Sequence, residues 1–199
     1  GAHTLGMARM VGKKGRVIAF EPTKYAFDKL VANAKLNPNL KSIITPNQIM
    51  LTASENAPLK KKLYSSWPLD PRKQVHQKHL GKMQTTSGAG VQTLSGYVSR
   101  NKIKNVKLVK IDVDGYEIDV LEGGLDFFVN QQPIIIMEVA PYTLEERGKS
   151  LDELLDIVRG MGYCMVDQGS KKPIAMIPKK LKQLIPEGGS INVIARPAQ

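Results

Sequence analysis

The chain has 199 residues, of which 42% are hydrophobic and 24% charged, and its formal net charge is +11. This length and balance suit one globular domain with a full-sized core, and they exclude a disordered or fibrous chain. Cys164 is the only cysteine and the three histidines are scattered, so the sequence predicts neither an intrachain disulfide nor a Cys/His zinc site.

The sequence carries no visible membrane or export signal. No apolar run approaches the roughly 20 residues that a membrane-spanning helix needs. No signal peptide is visible, although the chain starts abruptly at GAHTLGMA. We therefore expect a cytoplasmic protein without a membrane span.

Positive charge is concentrated in two segments. Residues 60–82 carry seven Lys and Arg against the single acid Asp70, a net charge of +6. The second cluster consists of Lys171, Lys172, Lys179, Lys180 and Lys182. Such patches attract nucleic acid and other polyanions, but the first contains few aromatic side chains that could stack on bases. A solvated surface is the favoured interpretation, and nucleic acid is kept as an alternative partner.

The spacing of apolar residues predicts helices that alternate with strands. Helical spacing is found at 4–11, at 23–37 with Thr23 as N-cap, at 93–103, after Gly115 up to Gly123-Gly124, and at 151–161. Runs of apolar residues predict strands at 17–20, 43–51 with an interruption near Pro46, 106–113, 133–139, 163–166, 173–177 and 191–195. Residues 60–64 suggest a strand that pairs back, and residues 67–90 a long loop.

The order of these elements predicts the fold class. Strands that alternate with helices form a mostly parallel sheet with helices on both faces. The strand at 106–113 is so rich in branched apolar residues that we expect helices to cover both of its faces. The closing pair of strands fits an antiparallel edge. We therefore expect an α/β fold in one domain over residues 1–199, with a basic loop region at 60–90.

Carboxylates follow three of the predicted strands. Glu21 ends the strand at 17–20, Asp112 and Asp114 follow the next buried run, and Glu138 lies near the tip of the strand at 133–139. Ligands bind beyond the carboxyl ends of the strands in an open α/β sheet, and a carboxylate must stay hydrated or paired. For Asp112 and Asp114, capping of the following helix is an equally good interpretation.

Glu21 is placed to bind a nucleoside cofactor. An acid at the tip of the second strand of such a sheet accepts hydrogen bonds from the ribose hydroxyls, and each bond to a charged acceptor contributes about 1.5–3 kcal/mol. The position alone does not distinguish a nicotinamide cofactor from S-adenosylmethionine. A dehydrogenase is therefore an alternative, although the acidic IDVDG turn has no obvious task in one.

Four segments together resemble the FkbM family of S-adenosylmethionine-dependent methyltransferases. They are GAHTLGMARMVGKKGRVIAFEP, VQTLSGYV, LVKIDVDGYEIDVLEGG and PIIIMEV. VIAFEP and KIDVDGYE are quite specific, and Asp114 stands where the common family form has Glu. The resemblance implies a Rossmann-like class I methyltransferase fold and methyl transfer, usually to an oxygen of a small molecule or a sugar.

The resemblance also assigns cofactor-binding roles by position. Gly1, His3 and Thr4 correspond to the end of the cofactor loop and the start of the next helix, where backbone amides bind the methionine part of S-adenosylmethionine. Glu21 corresponds to the residue that binds the ribose. Gln48 is a weak candidate for the adenine edge, and an exposed loop amide is the favoured interpretation of it.

The same resemblance places acids at the reacting centre. Asp112 and Asp114 face the methyl group and the acceptor, and Asp112 also lies beside the cofactor. A hydroxyl acceptor benefits from a base that takes its proton, and we expect Asp112 or Asp114 to be that base, with Glu138 as the second choice. Lys110 is expected to pair with a nearby acid or to extend to the surface. Two acids are too few to predict a metal site.

In the family, the first strand and the acidic, glycine-rich start of the cofactor loop precede the position of Gly1. We therefore expect an N-terminally incomplete domain whose sheet lacks that first strand. The favoured function is O-methylation of a small molecule or glycan. The alternative is a catalytically silent fold that binds nucleic acid or another polyanion through its basic loop.

Overall fold

The structure, a computed structural model, describes residues 1–65 and 81–198. The chain divides into two compact units. Unit 1 comprises Gly1–Met50 and Asn56–Gln92, and unit 2 comprises Leu51–Glu55 and Thr93–Gln199. Much of the predicted basic loop falls at 66–80, outside the described residues. In the described ranges, no helix is both long enough and apolar enough to span a membrane.

Unit 1 combines helices with small two-stranded sheets. Its helices are α1 (Ala2–Val11), α2 (Lys24–Lys35) and α3 (Pro38–Lys41). Its strands are β1 (Val17–Phe20), β2 (Ile44–Asn47), β3 (Ile49–Leu51, whose last residue belongs to unit 2), β4 (Lys62–Ser65), β5 (Lys82–Thr85) and β6 (Gly90–Gln92). β1 pairs in parallel with β2, β4 pairs antiparallel with β5, and β3 pairs with β6.

The core of unit 1 forms where α1 and α2 cover the β1–β2 pair. Its buried members are Ala8, Val17, Ala34 and Ile44. Ala8, Val17 and Ala34 lie in the helix predicted at 4–11, the strand predicted at 17–20 and the helix predicted at 23–37, so these three predictions are confirmed. Ile44 comes from β2, within the strand region predicted at 43–51. Burial of this apolar surface is what stabilises the short elements against the entropy of ordering them.

Unit 2 is built on one five-stranded sheet with the strand order β10-β9-β11-β8-β7. Its strands are β7 (Leu108–Ile111), β8 (Ile134–Val139), β9 (Tyr163–Asp167), β10 (Pro173–Ile174) and β11 (Ile191–Pro197). Its helices are α4 (Leu94–Arg100), α5 (Glu117–Glu122), α6 (Leu125–Gln131), α7 (Pro141–Glu145), α8 (Leu151–Gly160) and α9 (Pro178–Lys182).

Helix α8 shows how the sequence pattern becomes packing. The Ser150 hydroxyl caps its N-terminus by accepting a hydrogen bond of 3.1 Å from the Glu153 amide. The predicted apolar face is fully buried, with Leu151 3% exposed and Leu154, Leu155 and Val158 at 0%. This face packs against α5 and β9. The helix predicted at 151–161 is therefore confirmed.

The sheet of unit 2 differs from the predicted one. A mixed α/β fold is confirmed, but β7–β8 is the parallel pair of this sheet, whereas the other three pairings are antiparallel. The cause is β11, which inserts between β8 and β9 and runs antiparallel to both. The antiparallel part is thus most of the sheet rather than one edge.

The prediction that helices cover both faces of the central strand is wrong. β7 stands last in the strand order of its sheet. Of its residues, Leu108 is 42% exposed and Ile111 2% exposed. β8 is also only alternately buried, because its odd-numbered residues Ile135, Met137 and Val139 face the core. Dense apolar residues therefore did not mean burial on both faces.

Several short elements were not predicted. β5 lies inside the region that was expected to be a loop. It was not predicted because its residues are largely exposed and show no apolar period. Pro46 lies within β2 instead of interrupting it, since β2 is at an edge, where a missing N–H is tolerated. Helices α3, α7 and α9 each begin with a proline, which marks a first helical position as readily as a break.

Gly115 provides a test of the packing in unit 2. Its φ is 92°, and a Cβ there would lie 2.6 Å from the Thr143 carbonyl oxygen. Gly148 has φ 70° and no atom within 4 Å of such a Cβ, so it is the matched control. We expect Gly148→Ala to lower the free energy of unfolding by about 1–2 kcal/mol through backbone strain. Gly115→Ala should lose about 1–3 kcal/mol more, because the added methyl overpacks the contact.

Denaturant titration of both variants measures this difference. Equal losses for the two substitutions would contradict the close approach of Gly115 to Thr143.

Candidate active site

Glu21 lies directly after β1, with its carboxylate turned towards the start of α2. Its Oε1 accepts hydrogen bonds from the Thr23 amide at 2.8 Å and from the Thr23 hydroxyl at 2.5 Å. Thr23 is at the predicted N-cap position, but its own side chain does not cap the helix. Among the described residues, none donates a hydrogen bond to Oε2 of Glu21. One carboxylate oxygen is therefore held in place while the other can accept further bonds.

The start of α1 lies within electrostatic reach of Glu21. Burial lowers the pKa of the Gly1 amino group, and the Glu21 carboxylate raises it. The first backbone bond of α1 runs from the Leu5 amide to the Gly1 carbonyl at 3.1 Å. Gly1 is the N-cap residue of α1, so the amides of Ala2, His3 and Thr4 belong to the first turn of this helix. The predicted cofactor-loop residues Gly1, His3 and Thr4 therefore lie at the start of α1. His3 is exposed and Thr4 is half-buried.

Gln48 is engaged within unit 1. Its side-chain Nε2 donates a hydrogen bond of 2.8 Å to the Ser87 carbonyl. Gly88 lies against the same amide: a Cβ added at Gly88 would be 3.3 Å from the Oε1 of Gln48. Gln48 therefore holds the loop before β6, and its role at an adenine edge stays a prediction.

In unit 2, strand register brings two of the predicted acids together. β7 and β8 are parallel with Ile111 paired to Met137, and both of these side chains are buried. The next residues along the two strands are Asp112 and Glu138. Since successive side chains alternate between the faces of a sheet, both carboxyl groups lie on the face opposite the core. A hydrogen bond between the two carboxyl groups helps to raise the pKa of Glu138.

Each of the two carboxyl groups has a further partner. The Lys110 ammonium lies 2.7 Å from Oδ2 of Asp112, and this lysine side chain is only 13% exposed. The pairing expected for Lys110 is thus confirmed. On the other side, the Ser190 hydroxyl donates to Oε1 of Glu138 at 2.5 Å. Ser190 precedes β11, whose Asn192 is paired with Glu138 across the sheet.

The two carboxyl groups have different electrostatic surroundings. Burial raises the pKa of Glu138, and the charges of Asp112 and Asp114 raise it further, while the Ser190 hydrogen bond lowers it. Like charges at close range favour one shared proton. Burial and the neighbouring charges therefore favour the protonated form of Glu138, while the ammonium of Lys110 lies beside the carboxyl group of Asp112.

Asp114 belongs to the same acidic cluster. It has φ 49°, a left-handed conformation that is uncommon outside glycine. Its charge raises the pKa of both Glu138 and Tyr142. Burial is the larger cause for Tyr142, and the charges of Glu138 and Glu146 add to it. A phenol thus faces the carboxylates from α7.

Sequence reasoning missed Ser190 and Tyr142. The residues around Ser190 give no sequence signal for its partner Glu138, which lies 52 positions away in the chain. Only the pairing of β8 with β11 brings the two residues close. Tyr142 had a weak signal, since it follows the acidic strand tip and Pro141 starts a helical turn there. Among the described residues, no group of three or more Asp, Glu, His or Cys could hold a metal ion.

Comparisons with known proteins identify the class of this α/β domain. The family model described as the methyltransferase FkbM domain matches residues 1–165. In fold, the chain is similar to the crystal structure of methyltransferase FkbM from Methylobacillus flagellatus KT, with a TM-score of 0.53 and 16% sequence identity. No curated protein matches the chain.

The structural match covers 98% of this chain but 40% of the Methylobacillus chain. The family model covers far more than half of the present sequence. The chain therefore belongs to the FkbM methyltransferase family, as its sequence predicted.

The pKa of Glu138 tests the carboxyl pair. Asp112→Asn should lower this pKa, because it removes a neighbouring negative charge. Ser190→Ala should raise it, because it removes a hydrogen bond that favours the charged form. Asp126→Asn, a change to an exposed acid on α6, is the control and should leave the value unchanged.

Titration of the Glu138 carboxyl carbon by NMR measures these changes. Shifts of the same sign in Asp112→Asn and Ser190→Ala would contradict the arrangement.

Proposed function

We propose that this chain is an S-adenosylmethionine-dependent methyltransferase that methylates a hydroxyl group of a small molecule or a sugar. Membership of the FkbM family supports methyl transfer as the class of reaction. The observation that carries the hydroxyl assignment is the Asp112–Glu138 pair with its lysine partner, because a charged carboxylate of this kind takes a hydroxyl proton. A cytoplasmic location stays a prediction of the sequence alone.

The residues of unit 1 fit the cofactor. The Glu21 carboxylate is held by Thr23 and keeps Oε2 for the ribose hydroxyls. The amides at the start of α1, from Gly1 through His3 to Thr4, suit the carboxylate of the methionine part. Gln48 is the weaker candidate, since its amide is already bonded to Ser87. When bound, S-adenosylmethionine supplies an electrophilic methyl group.

Asp112 is the better base of the acidic pair. Its carboxylate accepts the proton of the acceptor hydroxyl, which makes the oxygen more nucleophilic as the bond to carbon forms. Glu138 is less suited, because burial and its neighbours favour its protonated form. Asp114 and Tyr142 then orient the acceptor by hydrogen bonds, and holding the acceptor in line is a large part of the catalysis.

The polyanion-binding alternative has less support. Family membership favours methyl transfer. Lys110, a described basic side chain beside the acidic pair, forms an ion pair with Asp112. No observation on unit 2 favours a nucleic-acid ligand over a hydroxylated acceptor.

Binding of the cofactor tests Glu21. We expect Glu21→Gln to weaken binding of S-adenosylhomocysteine about tenfold or more, since a hydrogen bond to a charged acceptor contributes about 1.5–3 kcal/mol. Gln can still accept the bonds from Thr23, so the start of α2 is preserved. Asp28→Asn is the control, because Asp28 is an exposed acid on the same helix.

Calorimetric titration of the wild type and both variants gives the dissociation constants. Equal affinity in the wild type and Glu21→Gln would exclude Glu21 from the ribose site.

Transfer to hydroxylated compounds tests Asp112. With radiolabelled S-adenosylmethionine and a panel of sugars and small hydroxylated molecules, Asp112→Asn should lower the rate by about 10²–10⁴-fold, the usual contribution of a general base. Asp126→Asn should transfer methyl groups at the wild-type rate. A rate in Asp112→Asn equal to that of the wild type would remove Asp112 from the reaction.

A further inference from the structure

Unit 2 contains a buried carboxyl group that the proposed reaction does not use. The buried polar side chains of the described residues are four threonines and Glu117, which is 3% exposed. Burying a carboxyl group is costly unless hydrogen bonds replace its water. Among residues 1–65 and 81–198, no lysine or arginine forms an ion pair with it. Such a group calls for a structural or functional explanation.

Two amides of the acidic turn donate hydrogen bonds to the Glu117 side chain. Its Oε1 accepts one from the Val113 amide and one from the Gly115 amide, both at 3.3 Å. These two amides lie on either side of Asp114, the residue with φ 49°. The carboxyl group therefore bridges the backbone around a conformation that is unfavourable by itself.

We propose that Glu117 is a positioning residue. Its carboxylate holds the turn 112–115, so that the carboxyl groups of Asp112 and Asp114 keep their positions beside Glu138. The hold on the turn stands on the two hydrogen bonds alone. Its effect on catalysis rests on the function proposed above. Glu117 touches the turn and not the reacting atoms, so it acts through Asp112 and Asp114.

The groups around Glu117 make this hold depend on pH. Burial raises the pKa of Glu117 to about 7, and the charge of Asp114 adds to the rise, whereas the backbone hydrogen bonds lower it. Helix α8, which packs on α5, presents an apolar face. Arg147, after α7, stacks its guanidinium 3.1 Å from the Tyr116 ring centroid and pairs with Asp119 at 3.3 Å.

The sign follows from the chemistry of the acceptor. Above the pKa, Glu117 is a carboxylate, and hydrogen bonds to an ionised acceptor are roughly twice as strong as those to a neutral one. Below it, the carboxyl is neutral and the turn is held less firmly. Glu117→Gln keeps an acceptor of the same shape but is neutral at every pH. At alkaline pH this variant should therefore resemble the wild type in mild acid.

The first experiment observes the turn directly in the full chain. Amide resonances of Val113 and Gly115 are followed by NMR over about 1.5 units on either side of the Glu117 pKa. We expect both to shift together with a midpoint of about 7 in the wild type, matching the titration of the Glu117 carboxyl carbon. The shifts should persist in Glu122→Gln, a change on the same helix, and vanish in Glu117→Gln.

Two results would overturn the hold on the turn. One is a pair of amides that does not titrate in the wild type, and the other is a titration that survives in Glu117→Gln. The wild-type measurement decides the matter even if the variant does not fold, because the amide midpoints must equal that of the carboxyl carbon.

The second experiment separates positioning from stability. In Glu117→Gln we expect kcat for methyl transfer at alkaline pH to fall about tenfold, with KM for S-adenosylmethionine within about twofold and without the wild-type pH limb near 7. An unchanged kcat and pH profile would overturn the positioning role. A wild type that transfers no methyl group would refute the proposed function, while the amide titration would still decide whether Glu117 holds the turn.

Discussion

The acidic site depends on the parallel pairing of β7 with β8. Because Ile111 is paired with Met137, the two following residues, Asp112 and Glu138, become neighbours on the solvent side of the sheet. A shift of one residue would turn one of these side chains to the opposite face. Burial of Ile111 and Met137 makes such a shift costly, so the core fixes the distance between the carboxyl groups.

Glu138 and Glu117, two glutamates of unit 2, have the same side chain but different surroundings. Glu138 lies beside other acids and a serine, and its raised pKa reflects burial together with their charges. Glu117 lies deeper, and its Oε1 accepts hydrogen bonds from two backbone amides of the turn before α5. In the function proposed above, Glu138 belongs to the acids beside the acceptor, whereas Glu117 is proposed to shape the turn that carries Asp112 and Asp114. Desolvation is the largest cause of both pKa shifts, but hydrogen-bond partners decide the use.

Local patterns in the sequence predicted the elements that carry strong periodicity. Helix α8 and strand β1 were found because their apolar residues repeat at helical spacing or form a short continuous run. Exposed strand β5 and the short helix α7 gave no such signal. The apolar run of β7 was assigned to a strand correctly, but its neighbours were not, since a strand reads alike whether one or two helices cover it.

The sequence by itself determined the family, the alternation of helices with strands, and the placing of Glu21, Asp112, Asp114 and Glu138 at strand ends. These depend on residue identity and short spacing, which are local properties. Only the tertiary structure decided that β11 enters between β8 and β9, that Ser190 reaches Glu138, and that Glu117 is buried beneath the acidic turn. Those contacts join distant segments, and their cost or gain depends on the burial and register of the assembled sheet, which no single stretch of the chain encodes.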